Sequence, residues 1–250
     1  MSIYQSNEKI RVENLKKSFG EISVIDNISF YAKENEFVSI LGPSGSGKST
    51  IFNMISGLLK ADQGKILIDG EDFTGRLGRV SYMHQKDLLF PWKKIIDNVA
   101  ISLVVKGEKE HVAREKVKDY FKAFGLEGFE NKYPYQLSGG MKQRAALLRT
   151  YMFSKDIMLL DEPFGALDAI TRSKMHFWLL EMVKELKSTV LFITHDIEEA
   201  IFLSDRIYVL SDKPASIKEE IIVDLKNRED KTMVASPEFN NIKKRILNII

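Results

Sequence analysis

Between an apolar run, Phe37–Leu41 (FVSIL), and a run that reads as a helix (STIFNMISGLL), the chain reads Gly42-Pro43-Ser44-Gly45-Ser46-Gly47-Lys48-Ser49-Thr50. A glycine, four residues, then Gly-Lys-Ser is the phosphate-loop spacing, and it sits where that motif must sit, after a strand and opening a helix. Glycines let successive backbone N–H groups turn toward one anion, and the helix N-terminus adds the positive end of its dipole. In such a loop Lys48 reaches the β- and γ-phosphates and the Ser49 hydroxyl ligates Mg²⁺. A glycine-serine surface turn would also read this way, but it would not need the strand before it or the helix after it. The spacing predicts a chain that binds a nucleoside triphosphate, with Gly42 to Thr50 as the cradle.

Composition narrows the setting. The 250 residues suit one large α/β domain with room for an inserted lobe, and 44% hydrophobic residues suffice for a core. The formal net charge of +2 gives no support for a nucleic-acid groove. No cysteine is present, which excludes a disulfide framework and thiolate metal sites and fits a reducing compartment. The longest apolar runs, such as TVLFIT and DIMLLD, are strand-sized and well short of the ~20 residues of a membrane helix. The first residues, MSIYQSNEKI, lack a basic start and an apolar segment, so no signal peptide is expected.

Short strands are expected up to Gly70, forming an antiparallel layer that feeds the phosphate-loop strand, with a further strand, RVSYMHQ, ending at Gln85. From about 91 to 152 the period becomes helical, with Ala113, Val117, Tyr120, Phe121 and Phe124 on one face. Strand texture then returns at DIMLLDEP, STVLFITHD, DRIYVLS and EEIIVDL. Between the first two of these, Met175, Trp178, Leu179, Met182, Val183 and Leu186 form a helical core stripe. The expected layout is an α/β nucleotide-binding core (about 1–90 and 153–225) with an inserted all-helical subdomain (about 91–152). A short tail, weakly amphipathic toward its end, follows from 226 to 250.

Three further motifs carry chemistry. The run Ile157–Leu160 ends in Asp161 and Glu162, placing two carboxylates at the C-terminal end of a buried strand, where open α/β sheets bind their ligands. Alone this is a common pattern. Beside a phosphate loop, Asp161 suits holding Mg²⁺ and Glu162 suits polarising the attacking water. Leu137-Ser138-Gly139-Gly140-Met141 precedes a clear helix and reads either as a second anion cradle or as a plain serine cap. If it is a cradle, two chains arranged head to tail would place Ser138, Gly139 and Gly140 of each on the ATP of the other. His195 follows an apolar strand, where it reads as a γ-phosphate contact or as a structural histidine. His84, His111 and His176 match no motif.

From about Lys9 to Val223 the chain resembles the ATP-binding-cassette (ABC) ATPases, with the motifs in that family's order. The resemblance implies a P-loop NTPase core with an N-terminal antiparallel β layer. It places Phe19, in LKKSFG, as the aromatic that stacks on adenine, although Phe19 also reads as a half-buried strand residue. It makes Gln85 a ligand of Mg²⁺ and of the attacking water, LSGGM the signature, Asp161 and Glu162 the Walker B acids, Asp168 in GALD the D-loop residue, and His195 the switch histidine. Met141 departs from the glutamine common at the end of the signature.

The stretches LLFPWKKIIDNV, YPYQLSGGMKQRAALLRTY, DEPFGALDAITR and THDIEEAIFLSDRIYVLSDKPASI look like the importer ATPases of the nitrate, sulfonate and taurine group, which includes carriers of thiamin pyrimidine precursors. That implies a peripheral subunit on the cytoplasmic face of the membrane. It would be a homodimer bound to two membrane permease subunits and fed by an external solute-binding protein. A soluble cassette of DNA repair or of the ribosome is the rival class, but this chain has one cassette, no cysteine and no heptad stretch. A small-molecule kinase would leave LSGGM and ITHD without a role. In the run Leu88–Lys94 (LLFPWKK), Pro91 interrupts an apolar aromatic cluster, which reads either as a permease contact or as an internal plug.

Overall fold

The computed structural model describes residues 7–225, 228 and 230–250; Met1–Ser6 and three residues of the expected tail, 226, 227 and 229, lie outside the described residues. The described residues form two compact units. One takes in the chain up to Arg79 and from Ser188 onward, the other Val80–Lys187.

In the first unit, β1 (Glu8–Phe19), β2 (Ile22–Lys33), β4 (Gln63–Ile68) and β5 (Glu71–Asp72) make an antiparallel sheet in the order β2-β1-β4-β5. Ile10, Val12 and Leu15 bury one side of β1 while its last residues, Ser18 and Phe19, are exposed. Strand β3 (Phe37–Leu41) is buried along its whole length, as a parallel strand covered on both faces must be. It pairs in parallel with β8 (Thr189–Thr194) on one side and with β9 (Arg206–Leu210) on the other, and β10 (Ile217–Ile222) closes that edge antiparallel to β9. Helix α1 (Lys48–Ile55) follows β3, and α6 (Ile197–Leu203) follows β8. The end of the chain forms α7 (Pro237–Leu247), whose Phe239 and Ile246 are buried and whose Lys243 and Arg245 pair with Glu198 and Glu219.

The second unit holds a parallel pair, β6 (Ser81–Met83) and β7 (Ile157–Asp161), in the register Ser81↔Met158, Tyr82↔Leu159 and Met83↔Leu160. Its helices are α2 (Ile95–Val105), α3 (Glu110–Phe121), α4 (Gly139–Phe153) and α5 (Ala169–Leu186). Ala113, Val117, Phe121 and Phe124 are buried, as the period predicts, while Tyr120 on the same face is half-buried. On α5 the buried residues are Met175, Leu179, Met182 and Val183. Trp178 is less enclosed, with the Phe124 ring at 5.7 Å and the Arg144 guanidinium 5.0 Å above its own ring. Among the described residues no helix is long and apolar enough to cross a membrane.

Candidate active site

The phosphate loop leaves β3 at Gly42, and the register Leu41↔Thr194 puts Gly42 and His195 side by side beyond the ends of two paired strands. Both line a cavity of about 150 Å³ together with Pro43, Leu210, Asp212 and Lys218. The loop is held by short backbone bonds, Ser46 N–H to the Pro43 carbonyl at 3.2 Å and Ile51 N–H to the Gly47 carbonyl at 3.1 Å. Gly45 and Gly47 have φ of 80° and 104°, which favour glycine, and a Cβ on Gly47 would lie 2.8 Å from Ile25 Cδ1. Lys48 is buried, and its ammonium donates to the Gly42 and Pro43 carbonyls at 2.9 and 2.8 Å. No side chain caps α1. Ser46 Oγ is buried without a hydrogen-bond partner. A buried hydroxyl without a partner costs about 1–3 kcal/mol, and together with the uncapped helix start it fits an anion ligand.

Phe19, at the end of β1, is 49% exposed, with the Lys17 ammonium 5.4 Å from its ring centroid. Asp62 holds this strand end by accepting from Lys17 Nζ at 2.6 Å and from Ser18 N–H at 2.7 Å. The Lys17 hydrogen bond lowers the Asp62 carboxyl below its ordinary range. Beyond β8, Thr194 donates its hydroxyl to the buried Glu199 carboxylate and accepts from Asp196 N–H at 3.0 Å. Asp196 in turn caps α6, so the turn carrying the exposed His195 is fixed on both sides.

In the second unit the β6–β7 register brings Gln85 and Glu162 together, the Gln85 amide donating to Glu162 Oε2 at 3.3 Å. Glu162 itself has φ 44°, a left-handed backbone uncommon for a non-glycine residue. Asp161, at the end of β7, is buried, and Tyr82 donates its hydroxyl to Asp161 Oδ2 at 3.1 Å. Burial, and then the Asp161 charge, push the Tyr82 phenol well above the ordinary tyrosine value. Sequence reasoning missed Tyr82. Its signal was the two-residue alternation along the short strand, but which carboxylate it would meet depended on pairing.

The signature straddles the start of α4: Leu137 and Ser138 precede it, and Gly139 is the first helical residue. Ser138 is the N-cap, its hydroxyl accepting from Met141 N–H at 3.4 Å. A Cβ on Gly139 would sit 3.3 Å from Leu167, and one on Gly140 would sit 3.2 Å from Thr171 Cγ2. Asp168 caps α5 by accepting from Ile170 and Thr171 N–H at 3.1 and 3.0 Å. The Thr171 hydrogen bonds hold its carboxyl below the usual range.

Sequence reasoning also missed two residues that shape the segment after Gln85. Arg149 of α4 donates to the Asp87 and Leu88 carbonyls at 2.5 and 2.7 Å. Fully buried Asn98 of α2 accepts from Phe90 N–H at 2.6 Å and donates to the Phe90, Lys93 and Lys94 carbonyls. Between these two anchors Leu88, at φ 47°, and Trp92 stand 54% and 71% exposed, while Leu89 is buried. The Trp92 ring is therefore no internal plug.

The family model described as ABC transporter matches residues 25–165, more than half of the chain. This chain belongs to the ABC transporter family. It is 43% identical over 225 residues to a formylaminopyrimidine import ATP-binding protein of Halalkalibacterium halodurans, covering 89% of this chain and 88% of that one. It is 39% identical over 242 residues to an aliphatic sulfonates import ATP-binding protein of Bacillus cereus, covering 95% and 94%. Among solved structures, a dimeric post-hydrolysis ATP-binding cassette bound to ADP and Pi matches with a TM-score of 0.73 and 33% identity. That match covers 87% of this chain and 100% of the other. The fold is that of a P-loop NTPase cassette, and the chain is an ATP-hydrolysing subunit whose hydrolysis drives transport.

Proposed function

We propose that this ABC ATPase powers import of a small solute of the kind its relatives serve, a sulfonate or a formylaminopyrimidine. The observation that carries the reading is near full-length similarity to two import subunits, joined to a phosphate loop whose buried Ser46 hydroxyl and uncapped helix fit an anion. In this reading Gly42 to Thr50 cradle the phosphates, Phe19 stacks on adenine, and Ser138, Gly139, Gly140 and Asp168 meet the nucleotide of a second copy. Glu162 positions the attacking water, with Gln85 and His195 completing the catalytic set. The division into core (about 1–90 and 153–225), helical subdomain (91–152) and tail (226–250) belongs to the same proposal.

Ser49, Gln85 and Asp161 are the proposed Mg²⁺ ligands. They offer a hydroxyl, an amide oxygen and one carboxylate, all hard oxygen donors. Among the described residues no group of three or more His, Cys, Asp or Glu could hold a metal alone. That donor set fits Mg²⁺, which keeps waters and takes phosphate oxygens rather than sitting in an all-protein cage. Held by these residues, Mg²⁺ would supply positive charge to offset the negative charge that develops as the phosphoryl group is transferred.

The chain works as a homodimer, peripheral on the cytoplasmic face, with two permease subunits and an external solute-binding protein. The Leu88–Lys94 segment is the proposed permease contact, because buried Asn98 and half-buried Arg149 hold the backbone around an exposed aromatic there. Glu162→Gln should cut hydrolysis by ~10²–10⁴-fold while ATP binding persists. With ATP retained, that variant should run as a dimer by light scattering, and near wild-type turnover would overturn the assignment. Trp92→Ala should lose pull-down with the permease subunits at an unchanged melting temperature. A drop of the ~3–5 kcal/mol typical of a core truncation would count against the contact.

A further inference from the structure

We infer that Tyr82 is a positioning residue for the Asp161 carboxylate and sets which divalent cation the nucleotide site prefers. Tyr82 lies at the centre of the three-residue strand β6, and its register partner on β7 is Leu159, two residues before Asp161. That offset lets a long side chain reach along the strand to the carboxylate. The Tyr82 hydroxyl donates to Asp161 Oδ2 at 3.1 Å, and the His84 ring lies 4.1 Å from the Tyr82 ring, tilted by 32°. The phenol is therefore steered by β6 pairing, by its neighbouring imidazole and by the carboxylate it touches. Nothing in the phosphate-loop chemistry requires a tyrosine here.

The consequence follows from cation geometry. Ca²⁺ readily takes both oxygens of one carboxylate, whereas Mg²⁺ demands compact octahedral geometry and takes one oxygen or a bound water. With Oδ2 engaged by a phenol, a cation that needs both oxygens must share Oδ2 with that hydroxyl and accept the carboxylate orientation the hydroxyl imposes. A cation served by one oxygen or a water need not. Tyr82 thus disfavours bidentate capture and fixes the carboxylate plane for the smaller ion. Partners that orient a metal-binding side chain typically change metal affinity by ~10–100-fold when removed.

The inference rests on Asp161 serving the nucleotide-bound metal, so the test separates the two. ATP affinity of the full chain is measured by calorimetry without divalent cation, with Mg²⁺ and with Ca²⁺, for wild type, Tyr82→Phe and Asp161→Asn. Thermal unfolding is followed in parallel. Tyr82→Phe keeps the ring and removes only the hydroxyl. The expected result is a ~10-fold loss of the Mg²⁺ enhancement of ATP affinity, an unchanged or larger Ca²⁺ enhancement, and unaltered metal-free binding. Equal losses with both cations, or no loss with either, would overturn the positioning role while Asp161→Asn still abolishes the Mg²⁺ effect. If Asp161→Asn leaves the Mg²⁺ effect intact, the metal assignment of Asp161 fails and this inference falls with it. Should Tyr82→Phe lower the melting temperature markedly, Tyr82→Leu, which also has no donor at that place, must show the same Mg²⁺ loss; full Mg²⁺ enhancement in it would overturn the role.

Discussion

The chain opens two helices on glycine-rich turns, and the two are built for opposite ends. At the phosphate loop, α1 starts without a side-chain cap, two glycines hold left-handed backbones, and Ser46 Oγ is buried without a partner. At the signature, α4 is capped by its own Ser138, and Gly139 and Gly140 hold ordinary helical backbone. There the missing side chains make room for Leu167 and Thr171. Similar composition therefore does different work. One turn starts its helix uncapped beside a buried hydroxyl without a partner, and the other caps its Met141 N–H with its own serine and packs its glycines against Leu167 and Thr171. Serine and glycine before a helix mean little until the hydrogen bonds are accounted for.

The comparison can be broken most forcefully at Lys48. Its ammonium is aimed along the loop and held by two carbonyls. Lys48→Ala should weaken ATP binding by about 2–5 kcal/mol, roughly 30- to 5,000-fold in dissociation constant. Calorimetry checks this, and unchanged affinity would show that the first turn is no phosphate cradle.

Adding a methyl group to each turn gives the next contrast. Gly47→Ala forces a left-handed alanine and a Cβ against Ile25 and Val24, which should cost about 1–3 kcal/mol. Gly140→Ala meets Thr171 at 3.2 Å but gains helix propensity, so its stability should stay within about 1 kcal/mol of wild type. Urea unfolding midpoints compare the two directly. Equal losses would mean that both turns need glycine for the same reason.

The smallest effect sharpens the comparison most. Ser138→Ala removes a cap and should cost about 1 kcal/mol. Ser46→Ala removes a buried hydroxyl with no partner, so the chain should be as stable as before or slightly more so while ATP binds less tightly. Chemical denaturation of both variants, with and without ATP, reads the difference.

Much of this protein was determined by sequence alone, because the features concerned are local. The phosphate loop is a spacing of nine residues between a strand and a helix, and β3, α1, β7 and β8 stand where apolar runs place them. The face of α3 and most of the α5 stripe follow from a 3.6-residue period that packing only had to accept. The tail's weak amphipathicity likewise matched α7, with Phe239 and Ile246 inward. Tertiary structure alone decided the partners. Tyr82 meets Asp161 and Gln85 meets Glu162 across 79 and 77 positions of sequence, because β6 and β7 pair in one register. A shift by one residue would turn each side chain to the other face. Arg149 and Asn98 look like unremarkable helix positions, yet they satisfy the backbone of a loop that Pro91 keeps out of regular structure. Hydropathy reports which residues leave water. It does not report which buried donor finds which acceptor, because that choice is made only when distant strands and helices are already in place.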